Sequence, residues 1–129
     1  MTRTKEPVER RKRERLQIQH GAFVILKSYD NKVGRIADIS PDGLTFTYHA
    51  SGDGSVMATQ LDIFVAGSPV RMYTIPCRTV SDFEIDSDIH RAMITRRCGV
   101  QFGTLNQGQI FQLDYLMQHN TIPVVRGRQ

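Results

Sequence analysis

From residue 22 onward, short apolar runs alternate with clusters of turn-forming residues. Ala22-Phe23-Val24-Ile25-Leu26 is rich in strand-favouring side chains and is followed by the turn signal Asp30-Asn31. Lys32 to Ile39 spaces Val33, Ile36 and Ile39 with small or polar residues, and Pro41-Asp42-Gly43 reads as a tight turn. Leu44-Thr45-Phe46-Thr47-Tyr48 alternates cleanly, the mark of a strand with one buried face. Gly52 to Ser55 reads as a flexible loop, Leu61–Val65 as a strand closed by Gly67-Ser68-Pro69, and Val70–Ile75, Arg78–Ile85 and Met93–Phe102 as further strands. Short strands at roughly 8–12 residue spacing predict an antiparallel sandwich or barrel rather than βαβ units. Closure into a barrel would also remove exposed edges.

One segment has helical periodicity. Asn106 is placed to cap it, with Gln109 three residues on able to reach back. Leu105 and Ile110 occupy the two positions of a hydrophobic staple, and Ile110, Leu113 and Met117 recur on one face with Leu116 beside them. The pattern predicts a helix over about 107–119 packed on the sheet.

Length and charge narrow this picture. The 129 residues suit one domain. No 18-residue apolar window exists, and the basic N-terminus has no apolar stretch behind it. Neither a membrane span nor a secretory signal is therefore expected, and two cysteines, Cys77 and Cys98, fit a reducing cytoplasm. The formal net charge is +4. All of that excess lies in residues 1–15, where seven Arg or Lys face three Glu, which fits either an anionic partner or a solvated tail.

Catalytic patterns are poor. His20, His49, His90 and His119 fall in four segments without ligand spacing, and Ser40 lacks the glycine-flanked elbow of a hydrolase nucleophile. Asp82, Glu84, Asp86 and Asp88 alternate, but without the sixth-position glycine and twelfth-position Glu of a calcium loop they read as a polar strand face. No Walker-type glycine loop is present. No enzyme, metal or cofactor is expected.

What remains is Arg11 and Arg15, three residues between them, followed about 23 residues later by Asp38-Ile39-Ser40-Pro41-Asp42-Gly43. These two halves, RxxxR and DxSxxG, resemble the signature of the PilZ domain. Cys98-Gly99-Val100-Gln101-Phe102, with Leu105 and the Gln109–Leu113 helix start, resembles that family's last strand and helix. The likeness runs from about Glu9 to His119.

The resemblance implies an all-β fold: a six-stranded antiparallel barrel with a C-terminal helix and a flexible basic N-terminal arm. Residues 1–8 would be a tail, 9–120 the domain (arm 9–15, barrel 22–104, helix 106–119) and 121–129 a second tail. It also implies a bacterial receptor for cyclic di-GMP that passes its signal to a protein partner by ordering the arm, with motility, exopolysaccharide production or virulence as output. Arg11 and Arg15 would take the phosphates and the guanine outer edge, since a guanidinium can fork onto O6 and N7 or clamp a phosphate. Asp38 suits the guanine N1–H and N2 donors, Ser40 offers a hydroxyl beside it, and Gly43 is expected at positive φ, letting a base approach the backbone. Arg10 and Arg13 flank the matched pair and would add either field or only solubility. Two alternatives stand beside this reading. One is an adaptor of the same fold working through protein contacts only; the other is a small barrel binding nucleic acid through the arm. No DNA or RNA partner is expected, because the strand segments lack repeated exposed aromatics and the excess positive charge is confined to the arm.

Overall fold

The computed structural model describes residues 16–18, 21–27, 32–50, 59–88 and 93–123. Its strands are β1 (Leu16–Ile18), β2 (Ala22–Leu26), β3 (Val33–Ser40), β4 (Gly43–Ala50), β5 (Gln60–Val65), β6 (Arg71–Asp88) and β7 (Met93–Phe102). A helix, α1 (Gln107–His119), and a last strand, β8 (Thr121–Pro123), follow. Among the described residues the strands pair antiparallel, in the order β2-β5-β6-β7-β4-β3, and β2 pairs β3 to close a six-stranded barrel.

Alternation explains the closure. Along β2, Ala22, Val24 and Leu26 are buried and Phe23 and Ile25 half-buried, and along β4, Leu44, Phe46, Tyr48 and Ala50 are buried. These inward rows meet Ile36, Ile39, Leu61, Ile63, Met72 and Ile75 in one core. Burying each large aliphatic or aromatic side chain contributes about 1.5–3 kcal/mol, so the alternating pattern alone commits each strand to a face.

The helix begins as its sequence predicts. Asn106 Oδ1 accepts from the Gln109 amide at 2.8 Å, and Gln109 Oε1 accepts from the Asn106 amide at 3.0 Å. Leu113 and Leu116 enter the core and Met117 packs against it, but Ile110, expected on that face, is exposed. Its place at the barrel is taken by Gln109, whose Nε2 donates to the carbonyls of Tyr73 (3.0 Å) and Thr74 (3.3 Å).

Three features depart from the sequence reading. The runs 70–75 and 78–85 are parts of one 18-residue strand, β6, which pairs β5 up to Pro76 and β7 from Cys77 onward. The missing amide proton of Pro76 falls where β6 exchanges neighbours. Irregular register at Tyr73–Thr74, Val80 and Ile85 lets so long a strand bend with the barrel. At the first, Thr74 lies at φ 55°, and its amide donates to the buried carboxylate of Asp62 at 2.8 Å. A β-branched residue in this region is strained by about 1–3 kcal/mol and persists because its surroundings hold it. Second, Leu16–Ile18, between the expected arm and the expected barrel, forms β1 outside the barrel on β3. Third, Thr121–Pro123, expected in a tail, forms β8 and pairs with β1.

Candidate functional site

The Asp38–Gly43 segment is the β3–β4 hairpin, with Ser40 paired to Gly43 across the two-residue turn Pro41-Asp42. One extra residue on β3, at Ala37, shifts the register between Ile36 and Asp38. That shift resets the alternation, so Ile36 and Ile39 are both buried while Asp38 keeps a partly exposed position. Without it the period of two would have set Asp38 on the side of Ile36.

Ser40 is itself buried, and its hydroxyl works on the turn. Its Oγ accepts from the Asp42 amide at 3.2 Å and donates to the Gly43 carbonyl at 3.4 Å. The reason for glycine at 43 differs from the expected one. Among the described glycines, positive φ belongs to Gly67 (φ 74°), not to Gly43. A Cβ on Gly43 would stand 2.1 Å from the Val100 carbonyl oxygen, so a side chain there would push β4 off β7. Close backbone approach, rather than a left-handed turn, demands this glycine.

Strand register gathers the outer face into rows. Gln17, Asp38, Thr45, Gly99 and Ser81 lie side by side across β1, β3, β4, β7 and β6. On one side of that row come Ser40, Gly43, Gln101 and Arg78; on the other come Arg35, Thr47, Arg97 and Phe83. Arg97 Nη2 donates to Asp38 Oδ2 and to Thr45 Oγ1, both at 3.1 Å. The Arg78 guanidinium donates to Gln101 Oε1 through Nε (3.1 Å) and Nη2 (2.6 Å). Two guanidinium groups therefore flank the hairpin from β6 and β7. Neither was singled out from the sequence, although the pair Arg96-Arg97 in a strand carries a signal: period-two alternation sends neighbouring residues to opposite faces.

Arg96 does point the other way. Its Nε donates to Asp82 Oδ1 at 2.9 Å, and the Tyr48 hydroxyl donates to Asp82 Oδ2 at 2.8 Å. Burial, together with the bond to Asp82, drives the Tyr48 phenol well above its ordinary pKa, and the Asp82 bond likewise raises Arg96. Asp82 thus leaves the polar outer face that its alternation with Glu84 and Asp86 suggested, and completes a polar cluster beside the core. Burial pushes the Cys98 thiol up to about 12 and the Cys77 thiol to about 11, so both stay protonated and unreactive at neutral pH.

Arg10, Arg11 and Arg15 lie outside the described residues, as does the Gly52–Ser55 loop. What the structure does place is the chain that follows Arg15: Leu16 pairs with Ile39 and Gln17 with Asp38. Among the described residues no group of three or more His, Cys, Asp or Glu side chains could hold a metal ion, and no helix is long and apolar enough to cross a membrane.

A closed six-stranded antiparallel barrel, flanked by short outer strands and followed by one helix, with a DxSxxG hairpin on its rim, is the fold of a PilZ domain. Solved structures of this class superpose well. The PilZ domain of YcgR from Escherichia coli, solved with c-di-GMP, matches with a TM-score of 0.63 at 17% identity, over 84% of this chain and 89% of that one. The K. pneumonia MrkH–c-di-GMP complex matches with a TM-score of 0.62 at 13% identity, over 92% of this chain and 52% of that one. The longer YcgR structure in complex with c-di-GMP matches with a TM-score of 0.59 at 20% identity, over 84% of this chain and 45% of that one. The chain thus spans nearly all of an isolated PilZ domain and about half of the longer proteins that carry one. No family model matches the sequence, and no curated protein matches it.

Proposed function

We propose that this protein is a receptor for cyclic di-GMP, bound between the Arg11–Arg15 pair and the Asp38–Gly43 hairpin, and that it signals to a protein partner. The pairing of Leu16 with Ile39 and Gln17 with Asp38 carries the reading, because it brings the chain from Arg15 to within one residue of the hairpin. The residue that follows the first motif therefore lies beside the second, which supports their acting on one ligand. The PilZ structures solved with c-di-GMP support the same ligand.

The roles follow from donor and acceptor chemistry. Arg11 and Arg15, with Arg10 adding field, fork onto phosphate and the guanine O6/N7 edge. Asp38 accepts from guanine N1–H and the N2 amino group, donors that an arginine cannot serve. Arg97, fixed by Asp38 and Thr45, orients that carboxylate and adds positive charge beside the ligand. Ser40 and Gly43 act through the hairpin: one bonds the turn backbone, the other allows β4 to sit close on β7. The signal is an ordering of residues 9–15 over the nucleotide, which offers the partner a surface absent in the free protein.

Calorimetric titration of the full chain with cyclic di-GMP, GMP and cyclic di-AMP tests this. Saturable binding of cyclic di-GMP alone is expected. Arg15→Ala should weaken it roughly ten- to a hundredfold, since a charge-assisted hydrogen bond contributes about 1.5–3 kcal/mol. Arg3→Ala, outside the motif, should change little. Equal losses from both substitutions would reduce the arm to a diffuse basic patch, and absence of any heat would refute the receptor.

A further inference from the structure

Strand register carries the row through Arg35 onward around the barrel, away from the hairpin. Arg35 on β3 stands opposite Phe23 on β2, Phe23 opposite Phe64 on β5, and Phe64 opposite Arg71 on β6. No single strand segment repeats exposed aromatics, but these rings come from different strands. They stack with centroids 5.5 Å apart, and the Arg35 guanidinium lies 5.7 Å from the centre of the Phe23 ring. Arg35 and Arg71 are exposed, and among the described residues neither side chain has an ion-pair partner. Two stacked rings with a guanidinium at either end thus cross four strands, about 14 Å from the first backbone to the last.

At the Arg71 end the row opens into a cavity of about 270 Å³ lined by Ile25, Asp62, Phe64, Arg71 and Tyr73. Tyr73 is 62% exposed and stands outside the core, yet its backbone is held on both sides. Its carbonyl accepts from Gln109 Nε2 at 3.0 Å, and the next amide, that of Thr74, donates to Asp62 Oδ1 at 2.8 Å. Thr74 is the residue at φ 55°, and strained backbone of this kind collects at ligand sites. The cavity therefore has a fixed aromatic wall that the core does not need. Its one carboxylate, Asp62, is buried and also pairs with Lys27 at 3.4 Å, so its charge is balanced.

We propose that this face binds single-stranded nucleic acid, with one base in the Phe64–Tyr73 cavity, a neighbouring base on the Phe23–Phe64 stack and phosphates on Arg71 and Arg35. The groups choose the partner. Aromatic faces take any unpaired base, and guanidinium groups take phosphates. The cavity is smaller than the about 300–1,000 Å³ that encloses a whole small molecule, so it suits one ring of a longer ligand. A duplex hides its base faces, so the strand must be single. None of these residues is assigned to cyclic di-GMP, and failure of either reading leaves the other standing.

Fluorescence anisotropy of the full chain with a labelled oligothymidylate tests the proposal. A length of about 12 nucleotides lies within the about 4–16 that small barrels cover. The single strand should bind at least tenfold tighter than a duplex of the same length. The basic arm attracts any polyanion, so the decisive variant is the charge-neutral Tyr73→Ala. It should keep the wild-type thermal midpoint and weaken single-strand binding about tenfold. Arg71→Gln should lower the slope of log affinity against log salt by about 0.7, the share of one phosphate contact. Full single-strand affinity in Tyr73→Ala overturns the proposal. So does a duplex that binds as tightly as the single strand, which would leave only attraction to the arm. Thymidine monophosphate binding as tightly as the oligonucleotide would overturn it in favour of a pocket for one nucleotide.

Discussion

Adjacent residues on β7 build two Arg–Asp pairs of similar geometry in different surroundings. Inward, Arg96 meets Asp82 at 2.9 Å, with side chains 15% and 10% exposed and Tyr48 as third member. Outward, Arg97 meets Asp38 at 3.1 Å, with side chains 35% and 14% exposed, so the difference lies in the guanidinium. Surroundings decide what each pair does. The inner pair is cut off from competing water, so breaking it strands a charge, and its role is to hold β4, β6 and β7 in register. The outer pair has its guanidinium partly open to solvent, and a partly exposed ion pair is worth only about 0–1 kcal/mol to stability. One strand thus presents the same chemistry as a shielded clamp on one face and as a more solvent-facing pair on the other.

The largest expected effect breaks the inner pair. Asp82→Ala should lower unfolding free energy by about 2–3 kcal/mol, below the about 3–5 of a fully buried pair, as measured by urea denaturation. Cyclic di-GMP affinity of the folded fraction should change less than threefold. A loss of affinity matching that of Arg15→Ala would mean the two faces are coupled.

Asp38→Ala inverts the pattern. It should cost less than about 1 kcal/mol in stability yet weaken cyclic di-GMP at least tenfold, with selectivity over cyclic di-AMP falling too. Calorimetry with both nucleotides reads the two effects together. Unchanged selectivity would remove Asp38 from guanine recognition.

Alkaline pH bears on the inner side alone. The folded state holds the Cys98 proton up to about 12, whereas an unfolded thiol releases it near 8.5. In that window the unfolded chain binds fewer protons than the folded one, so stability falls as pH rises, by up to about 1.4 kcal/mol per pH unit from this thiol. Cys77 and Tyr48, also raised, add to the same slope. Urea midpoints from pH 8.5 to 10.5 should drop steadily, and Cys98→Ala should flatten the fall. A flat wild-type profile would place Cys98 outside the core.

The smallest effect belongs to Arg97. Arg97→Gln should change stability by about 0.5 kcal/mol or less, because the amide still donates to Asp38 or Thr45. Its cyclic di-GMP affinity should fall about three- to tenfold, with a weaker salt dependence than wild type. An intact salt dependence would show that Arg97 adds no field at the site.

Local patterns in the chain were enough for the inward faces of the barrel strands and for the helix, but not for β1 and β8. Alternation along 22–26 and 44–48 marks inward residues because a strand repeats every two residues, and Asn106 with Gln109 marks the helix start because four end amides need acceptors. Each motif half is a run of fixed spacing, and of the two the structure describes Asp38–Gly43. Non-local relations were not legible. The joining of 71–88 into one strand depends on neighbours exchanged at Pro76, and each irregularity at Ala37, Val80 or Ile85 reverses the alternation downstream of it. Gly43 was identified by its turn, yet its necessity comes from Val100, 57 positions away in the chain. Arg97 beside Asp38 and Leu16 beside Ile39 arise from register between strands that no local pattern links. By itself, the sequence determined which residues seek the core and where turns and caps fall, because those follow from side-chain chemistry and a periodicity of a few residues. The tertiary structure decided which polar groups meet, because inter-strand register is set by closure of the whole barrel around one core.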